Sequence, residues 1–210
     1  MNLMFRKILY ILLLLNLLRI IPGCCECDEA TRPFSFNKTD IVNLNNTGPW
    51  PEYTDSDTMR PAAVAFSVSL FDSAGYFYAQ APAVETFGFS KAQAFAKCDC
   101  AFPFMANQHL TDIRIESLTP LSPDLPAGDV SALFVAKPTS NAASGNLYIP
   151  LNDLCRQTIG KVYYDGGIES FELYLKTTVQ HAEVRFAFQF TFSDNLVLRD
   201  TTRLITIAER

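Results

Sequence analysis

Six cysteines and two histidines carry most of the reactive chemistry in this chain of 210 residues. Two Cys-x-Cys pairs, Cys25-Glu26-Cys27 and Cys98-Asp99-Cys100, gather four thiols into two tight groups, and His109 follows the second. Thiolates with an imidazole are zinc-ligand types, but zinc sites normally place two residues between paired cysteines. A single intervening residue hardly lets both sulfurs reach one tetrahedral ion, so no metal is expected. Oxidation is the other chemistry open to these thiols, with Cys98, Cys100 and Cys155 as the disulfide candidates. Spacing does not say which pair forms. A nucleophilic cysteine would need a base beside it. His109 reads most simply as a loop residue before a strand, and His181 as part of a hairpin turn.

No Gly-x-Ser-x-Gly elbow, His-Glu-x-x-His or glycine-rich phosphate loop appears. A glycosidase would need two carboxylates roughly 5–9.5 Å apart across a cleft. Asp124, Asp129, Asp165 and Glu169 fall in loops or at strand ends, where solvated acids are common. With 22 acidic residues, some pair always looks suggestive. Asp55, Asp57 and Asp194 form no calcium-binding Asp-x-Asp-x-Asp-Gly loop. The chain is expected to be no enzyme and to carry no cofactor. Aromatic residues are the less ordinary feature: Trp50 and Tyr53 in a Pro-rich turn, and Tyr76, Phe77 and Tyr78 beside Gly75. Such rings at loop tips can stack on sugars or anchor a protein partner. Trp50, Tyr53, Tyr76 and Tyr78 are therefore the candidate ligand contacts. The simpler alternative, and the expectation, is that Trp50 packs over an open end of the fold.

The N-terminal segment sets the address. Arg6 and Lys7 precede an apolar run from Ile8 to Leu18, followed by Ile21-Pro22-Gly23-Cys24. A charged start, a short apolar core and a small residue before the cut describe a secretory signal. The run is interrupted by Asn16 and Arg19 and falls short of the ~20 apolar residues of a membrane span. Gly23-Cys24 resembles a bacterial lipobox, which implies a diacylglyceryl group on the Cys24 thiol. An ordinary signal peptide cut at Gly23 is the alternative. Each buried methylene contributes ~0.8 kcal/mol, so several acyl chains anchor firmly where one binds only marginally. The expected divisions are a signal peptide over 1–23, an acidic tether over 24–33 and one β-sandwich domain over 34–210. Glu26, Asp28 and Glu29 in the tether resemble the surface-export signals of Bacteroidetes lipoproteins; solvated linker charge is the other reading. The expected location is the outer membrane, with the cell surface favoured over the periplasmic face.

Charge narrows the partners. The whole chain carries a net −5; without Arg6, Lys7 and Arg19 its 17 basic residues fall to 14 against 22 acids, a net −8. Nucleic acid is an improbable partner for such a chain, because phosphates demand clustered Lys and Arg. Anionic headgroups would repel it too, leaving the lipid at Cys24 as its contact with the membrane.

The elements that would position these residues are strands. Val64, Phe66, Val68 and Leu70 alternate with Ala65, Ser67 and Ser69, the period of two of a half-buried strand. Asp112 to Ser117 alternates isoleucine with charge. Glu169 to Thr177 turns Phe171, Leu173 and Leu175 inward and Glu172, Tyr174 and Lys176 outward. Glu183 to Phe192 places Phe186, Phe188, Phe190 and Phe192 on one face; four buried rings hide roughly 600–800 Å². Ser193-Asp194-Asn195 turns this strand into Leu196 to Leu198, and Arg203 to Ala208 adds a last strand, so that Glu183 to Ala208 reads as a hairpin or meander. Helical signals are confined to Pro150 to Ile159, with Leu151, Leu154, Cys155 and Ile159 along one side, a single turn at Asp129 to Phe134, and a short stretch at Ser90 to Lys97 that reads as helix or strand. The pattern predicts a mainly β fold, an antiparallel sandwich immunoglobulin-like in outline with one or two short helices.

Ala94 to Cys98, Asp112 to Ser117, Leu125 to Phe134, Glu169 to Thr177 and Phe188 to Asn195 together resemble Bacteroidetes lipoproteins catalogued as a domain of unknown function. The resemblance covers roughly residues 60 to 208, and Leu125-Pro126-Ala127-Gly128-Asp129-Val130-Ser131-Ala132-Leu133-Phe134 is its most specific piece. The chain departs from the pattern at Cys98-Asp99-Cys100, where one cysteine is usual, and at Asp194-Asn195, where Asp-Gly is commoner. The resemblance implies an anchored, extracytoplasmic β-rich domain and brings no activity or ligand. The leading expectation is a non-catalytic binding or structural domain. A glycan-binding accessory of a polysaccharide-uptake system is the alternative, as is a fimbrial subunit with a removable first strand, for which Arg32 is the candidate cleavage site.

Overall fold

The computed structural model describes residues 31–48, 50–73, 103–139, 148–163 and 167–208. These residues belong to one compact unit, Thr31–Ala81 with Pro103–Arg210. In chain order the strands are β1 Arg32–Phe34, β2 Lys38–Asn45, β3 Glu52–Tyr53, β4 Thr58–Met59, β5 Val64–Phe71, β6 Phe104–Ala106, β7 Leu110–Ser117 and β8 Gly128–Asp129. A 3-10 turn at Ser131–Leu133 leads into β9 Phe134–Pro138, helix α1 Leu151–Gln157, β10 Val162–Tyr163 and β11 Glu169–Leu175. The last four are β12 Glu183–Val184, β13 Phe186–Phe192, β14 Val197–Thr201 and β15 Ile205–Ile207.

The unit is mainly β. A five-stranded sheet in the order β3-β2-β5-β11-β9 and a four-stranded sheet in the order β14-β13-β7-β8 form its bulk. Every pairing within these two sheets is antiparallel. Two three-stranded ribbons, β1-β6-β10 and β12-β15-β4, each include one parallel pair. The inward faces of the large sheets meet through aromatic rings. Phe66 of β5 lies edge-on to Phe186 and Phe188 of β13 at 5.5 and 5.3 Å, and Phe171 of β11 to Phe190 at 6.3 Å. Offset and edge-to-face rings contribute about 0.5–1.5 kcal/mol per pair beyond the area they bury. The arrangement is an antiparallel sandwich, as the alternation predicts.

Three sequence expectations change in the structure. The Glu183 to Phe192 run is broken at Arg185: Val184 pairs with Ile205 in the ribbon, whereas Phe186 pairs with Ser117 in the four-stranded sheet. Arg185 Nε donates to the Thr202 carbonyl at 3.0 Å, and the Phe186 N–H to Thr202 Oγ1 at 3.0 Å, which holds the crossing between sheets. The closing segment accordingly joins β12 and β4 rather than extending the β13–β14 hairpin. In that hairpin Asn195 adopts φ +67°, the left-handed conformation that asparagine tolerates better than most residues.

The second change concerns β5. Ala65 and Ser67, expected on a solvent face, are 0 % and 4 % exposed. Leu44, Ala65 and Tyr174 form a small apolar cluster on that side, with Val135 packed against it. Tyr174 points outward as its period requires, yet it is buried there. The third is the helix. It ends at Gln157; Thr158 follows as its cap, and Gly160 takes φ +65° to redirect the chain, leaving Ile159 exposed. Thr158 Oγ1 accepts from the Leu110 N–H at 3.0 Å and donates to the Cys155 carbonyl at 2.8 Å, tying the helix end to β7. The expected turn at Asp129 to Phe134 is present as the 3-10 turn.

Arg32 and Pro33, placed at the end of the tether by sequence, pair in β1 with Phe104 and Met105. Phe34 and Phe36 beyond them are buried in an aromatic group with Phe104, Tyr163 and Phe192. Gly167 admits this packing: at φ +76° a Cβ there would lie 3.0 Å from the Phe34 ring. The first described strand is thus fastened by its side chains as well as its backbone.

Candidate functional site

The β2–β3 hairpin carries two of the aromatic candidates. Asn45, the last residue of β2, closes the start of its turn: Asn45 Oδ1 accepts from the Thr47 N–H at 3.3 Å and from Thr47 Oγ1 at 2.7 Å, the local closure that asparagine favours in turns. Trp50 lies in this turn and is 68 % exposed; Tyr53 follows in β3 and is 72 % exposed. The expectation that Trp50 packs over an open end of the sandwich is therefore corrected. A tryptophan usually buries most of its large ring, and here its apolar surface faces solvent.

Beside the hairpin is a hollow of about 360 Å³, lined on its polar side by Asn45, Asn46, Thr47, Thr54, Ser56 and Arg60. Met59, Ala63 and Ala208 contribute apolar surface to it. Two hydroxyl-closed turns shape the far wall: Thr54 Oγ1 accepts from the Ser56 N–H at 3.1 Å, and Ser56 Oγ from the Thr58 N–H at 3.1 Å. Asn43 Nδ2 donates to the Ser56 carbonyl at 3.1 Å and to Asp57 Oδ1 at 3.3 Å, pinning this wall to β2. The Ala208 N–H donates to the Met59 carbonyl at 3.0 Å, joining the segment after β15 to β4. The hollow is thus held by the ends of three separately paired segments.

A second hollow, of about 540 Å³, lies against β7, β9 and the start of α1. Its charges largely answer one another. Arg114 bridges to Glu116 at 3.1 Å and to Asp129 at 3.3 Å, and Asp129 Oδ1 accepts from the Ser131 N–H at 3.0 Å and Ser131 Oγ at 2.7 Å. The Ser131 backbone bond, followed by its hydroxyl, holds the Asp129 pKa below the ordinary 3.8. A depressed pKa adds stability above the unfolded value and loses it as pH falls through the folded one. The stability difference between the wild type and an Asp129→Asn variant is expected to be full at neutral pH and to shrink below pH 3.8, read from urea melts across that range. An undiminished difference at the acid end would assign the effect to something other than ionisation.

Among the described residues no group of three or more His, Cys, Asp or Glu side chains could hold a metal ion. His109 is half-buried before β7, its backbone bonded to Ser193, and His181 is exposed in a turn. Cys155 is a free thiol in the structure, 5 % exposed on α1. Cys98 and Cys100 lie outside the described residues, as do Cys24, Tyr76, Tyr78, Asp165 and Ser90 to Lys97. Desolvation, with a smaller contribution from the Asp112 charge, pushes the Cys155 pKa up to about 11. The thiolate is the reactive form, so Cys155 is expected to escape iodoacetamide at pH 8 in the native chain and to react after denaturation, followed by peptide mass mapping. Native labelling at the denatured rate would contradict its burial.

Sequence reading missed Glu169, which it took for a solvated strand-end acid. The residue is 1 % exposed, and both its oxygens accept from Lys161 Nζ, at 2.9 and 2.6 Å. The same ammonium stands 5.0 Å from the centre of the Tyr163 ring. The Tyr163 hydroxyl is buried, with no hydrogen-bond partner of ordinary geometry among the described residues. Desolvation first, then the nearby Glu169 carboxylate, raises its pKa well above the tyrosine range. Neither hollow is lined by this group, and its role in the structure is to bind the start of β11 to the segment before β10.

No protein-family model matches the chain, and no curated protein does. Among solved structures, it is similar to a DUF4466 family protein from Parabacteroides merdae, at 10 % identity and a TM-score of 0.37 over 84 % of this chain. It is also similar to the C-terminal domain of the AgI/II polypeptide BspA from Streptococcus agalactiae, at 9 % identity and a TM-score of 0.28 over 80 % of this chain. The chain spans about half the length of these structures, 46 % of the first and 49 % of the second.

Proposed function

We propose that this chain is an extracytoplasmic, membrane-anchored β-sandwich that works as a non-catalytic binding module, with the β2–β3 hairpin as its contact surface. The observation that carries the reading is the exposure of Trp50 and Tyr53, 68 % and 72 %, on one hairpin beside a preformed hollow. Exposed tryptophan and tyrosine are the residues that most often supply binding energy when a partner covers them. A rigid backbone lowers the ordering cost of that event, and the hairpin is pinned through Asn43, Asn45 and β5. The anchor rests on Cys24 and the segment before it, and the location follows from the anchor. Among the described residues no helix is long and apolar enough to cross a membrane.

A photo-crosslinking amino acid placed at position 50 or 53 in living cells tests the reading. Adducts are expected from both positions and none from position 124, an exposed residue on another loop. Equal yields from all three, or no adducts from 50 and 53, would refute the hairpin as a contact surface. A membrane-impermeant label applied to intact cells reads the side: modification marks the cell surface, and protection the periplasmic face.

A further inference from the structure

We infer that the hollow beside the β2–β3 hairpin takes an uncharged, polyhydroxylated ligand, a stretch of neutral polysaccharide, with an exposed hairpin aromatic stacked on a sugar face. This deepens the reading of the hairpin as a contact surface by naming the chemistry it meets. Apart from the Arg60 guanidinium, which only donates, the polar wall consists of amides and hydroxyls, groups that both donate and accept and so match a sugar's hydroxyls in either sense. Several donors are uncommitted. Asn45 uses only its oxygen within the turn, and the Asn46 amide and Arg60 guanidinium have no hydrogen-bond or ion-pair partner among the described residues.

Alternatives fit less well. The core of a protein–protein interface is typically apolar, whereas this hollow sets amides and hydroxyls beside the apolar Leu44, Met59, Ala63 and Ala208. An acidic polymer would meet Arg60 but also the exposed Glu52 and Asp55 on the same segment, within a chain of net charge −5. Unscreened charges of like sign disfavour a polyanion at low ionic strength. The volume, about 360 Å³, is at the lower end of the ~300–1,000 Å³ typical of ligand sites. With Asn45, Thr47 and Arg60 exposed along its edge, the hollow suits part of a long chain that continues into solvent. Trp50 and Tyr53 do not line the hollow but belong to the hairpin whose turn residues do; they supply flat apolar faces with a polar tip, able to cover the carbon face of a sugar in a chain that runs from the hollow across the hairpin.

Affinity electrophoresis of the full chain in detergent, in gels containing neutral glucans, mannans, xylans or galactans and in gels containing polygalacturonate or sulfated polymers, tests this. Retardation by at least one neutral polymer is expected, unchanged by added salt. Trp50→Ala or Tyr53→Ala should raise the dissociation constant roughly tenfold, and Asn46→Ala should raise it by a smaller factor, with thermal midpoints within about 2 °C of the parent. Retardation only by acidic polymers, weakening with salt, would overturn the uncharged-ligand claim. Neutral-polymer binding that survives a Trp50→Ala/Tyr53→Ala double substitution would overturn the site. No retardation in any gel, with protein adducts still forming at positions 50 and 53 in cells, would remove the sugar and leave the contact surface. Neither retardation nor adducts would remove both.

Discussion

Phe66→Ala is expected to lower the unfolding free energy by about 3–5 kcal/mol, the usual cost of removing a buried ring and leaving a cavity. Phe66 is 0 % exposed and stands where the two sheets meet: its ring centre is 5.5 Å from Phe186, 5.3 Å from Phe188 and 6.4 Å from Phe134. Those partners come from β13 and from the start of β9, so one truncation loosens contacts in both sheets. A domain is commonly stable by only about 5–15 kcal/mol, and the loss would take a large share of that. Urea denaturation of the full chain reads it as a lower midpoint. Asp124→Ala, at an exposed loop position, should stay within about 0.5 kcal/mol of the parent. A loss below about 1 kcal/mol for Phe66→Ala would mean that the aromatic seam is not where the sandwich holds together.

Lys161→Met is expected to cost roughly 3 kcal/mol, toward the lower end of what breaking a buried ion pair takes. Glu169 keeps its burial when the ammonium leaves, and a desolvated carboxylate then has lost the cation that both its oxygens contact. The Lys161 side chain is 21 % exposed against 1 % for Glu169, so solvent softens the penalty without removing it. A Lys161→Met/Glu169→Met variant should recover most of the loss, since an apolar pair of similar volume replaces a buried ion pair at little or no cost. The double-mutant cycle reads the coupling directly. Additive losses in the double variant would show that the two residues stabilise the fold independently of each other.

The β13 segment explains why much of the sandwich was legible from residues alone. Phe186, Phe188, Phe190 and Phe192 alternate with Ala187, Gln189 and Thr191, and a period of two with rings on one side admits few structures besides a central strand. β7 and β11 were legible for the same reason. Arg185 was not: the switch from ribbon to sheet depends on Thr202, distant in sequence, and local periodicity runs straight through it. Glu169 was misread because an acid after Gly166 and Gly167 has the look of a solvated turn, and the cation that stabilises its burial lies eight residues earlier. Tyr174 was assigned to the correct side but not to burial, because Leu44 and Val135, which form its cluster, belong to other strands. At the hairpin, sequence raised Trp50 and Tyr53 as candidates. Composition could not say whether Trp50 would be buried, nor that Asn46, Ser56 and Arg60 would gather around one hollow. Those are consequences of three strand ends meeting.

What the hairpin can meet depends on which compartment holds the domain, and that depends on Cys24. Intact-mass and peptide mass spectrometry of the protein purified from its native membranes gives the most direct answer. The account expects a chain that begins at Cys24 and carries acyl groups on that residue. A water-soluble chain with an unmodified Cys24, or one that retains Met1 to Gly23, would contradict the membrane-anchored module proposed for this sandwich.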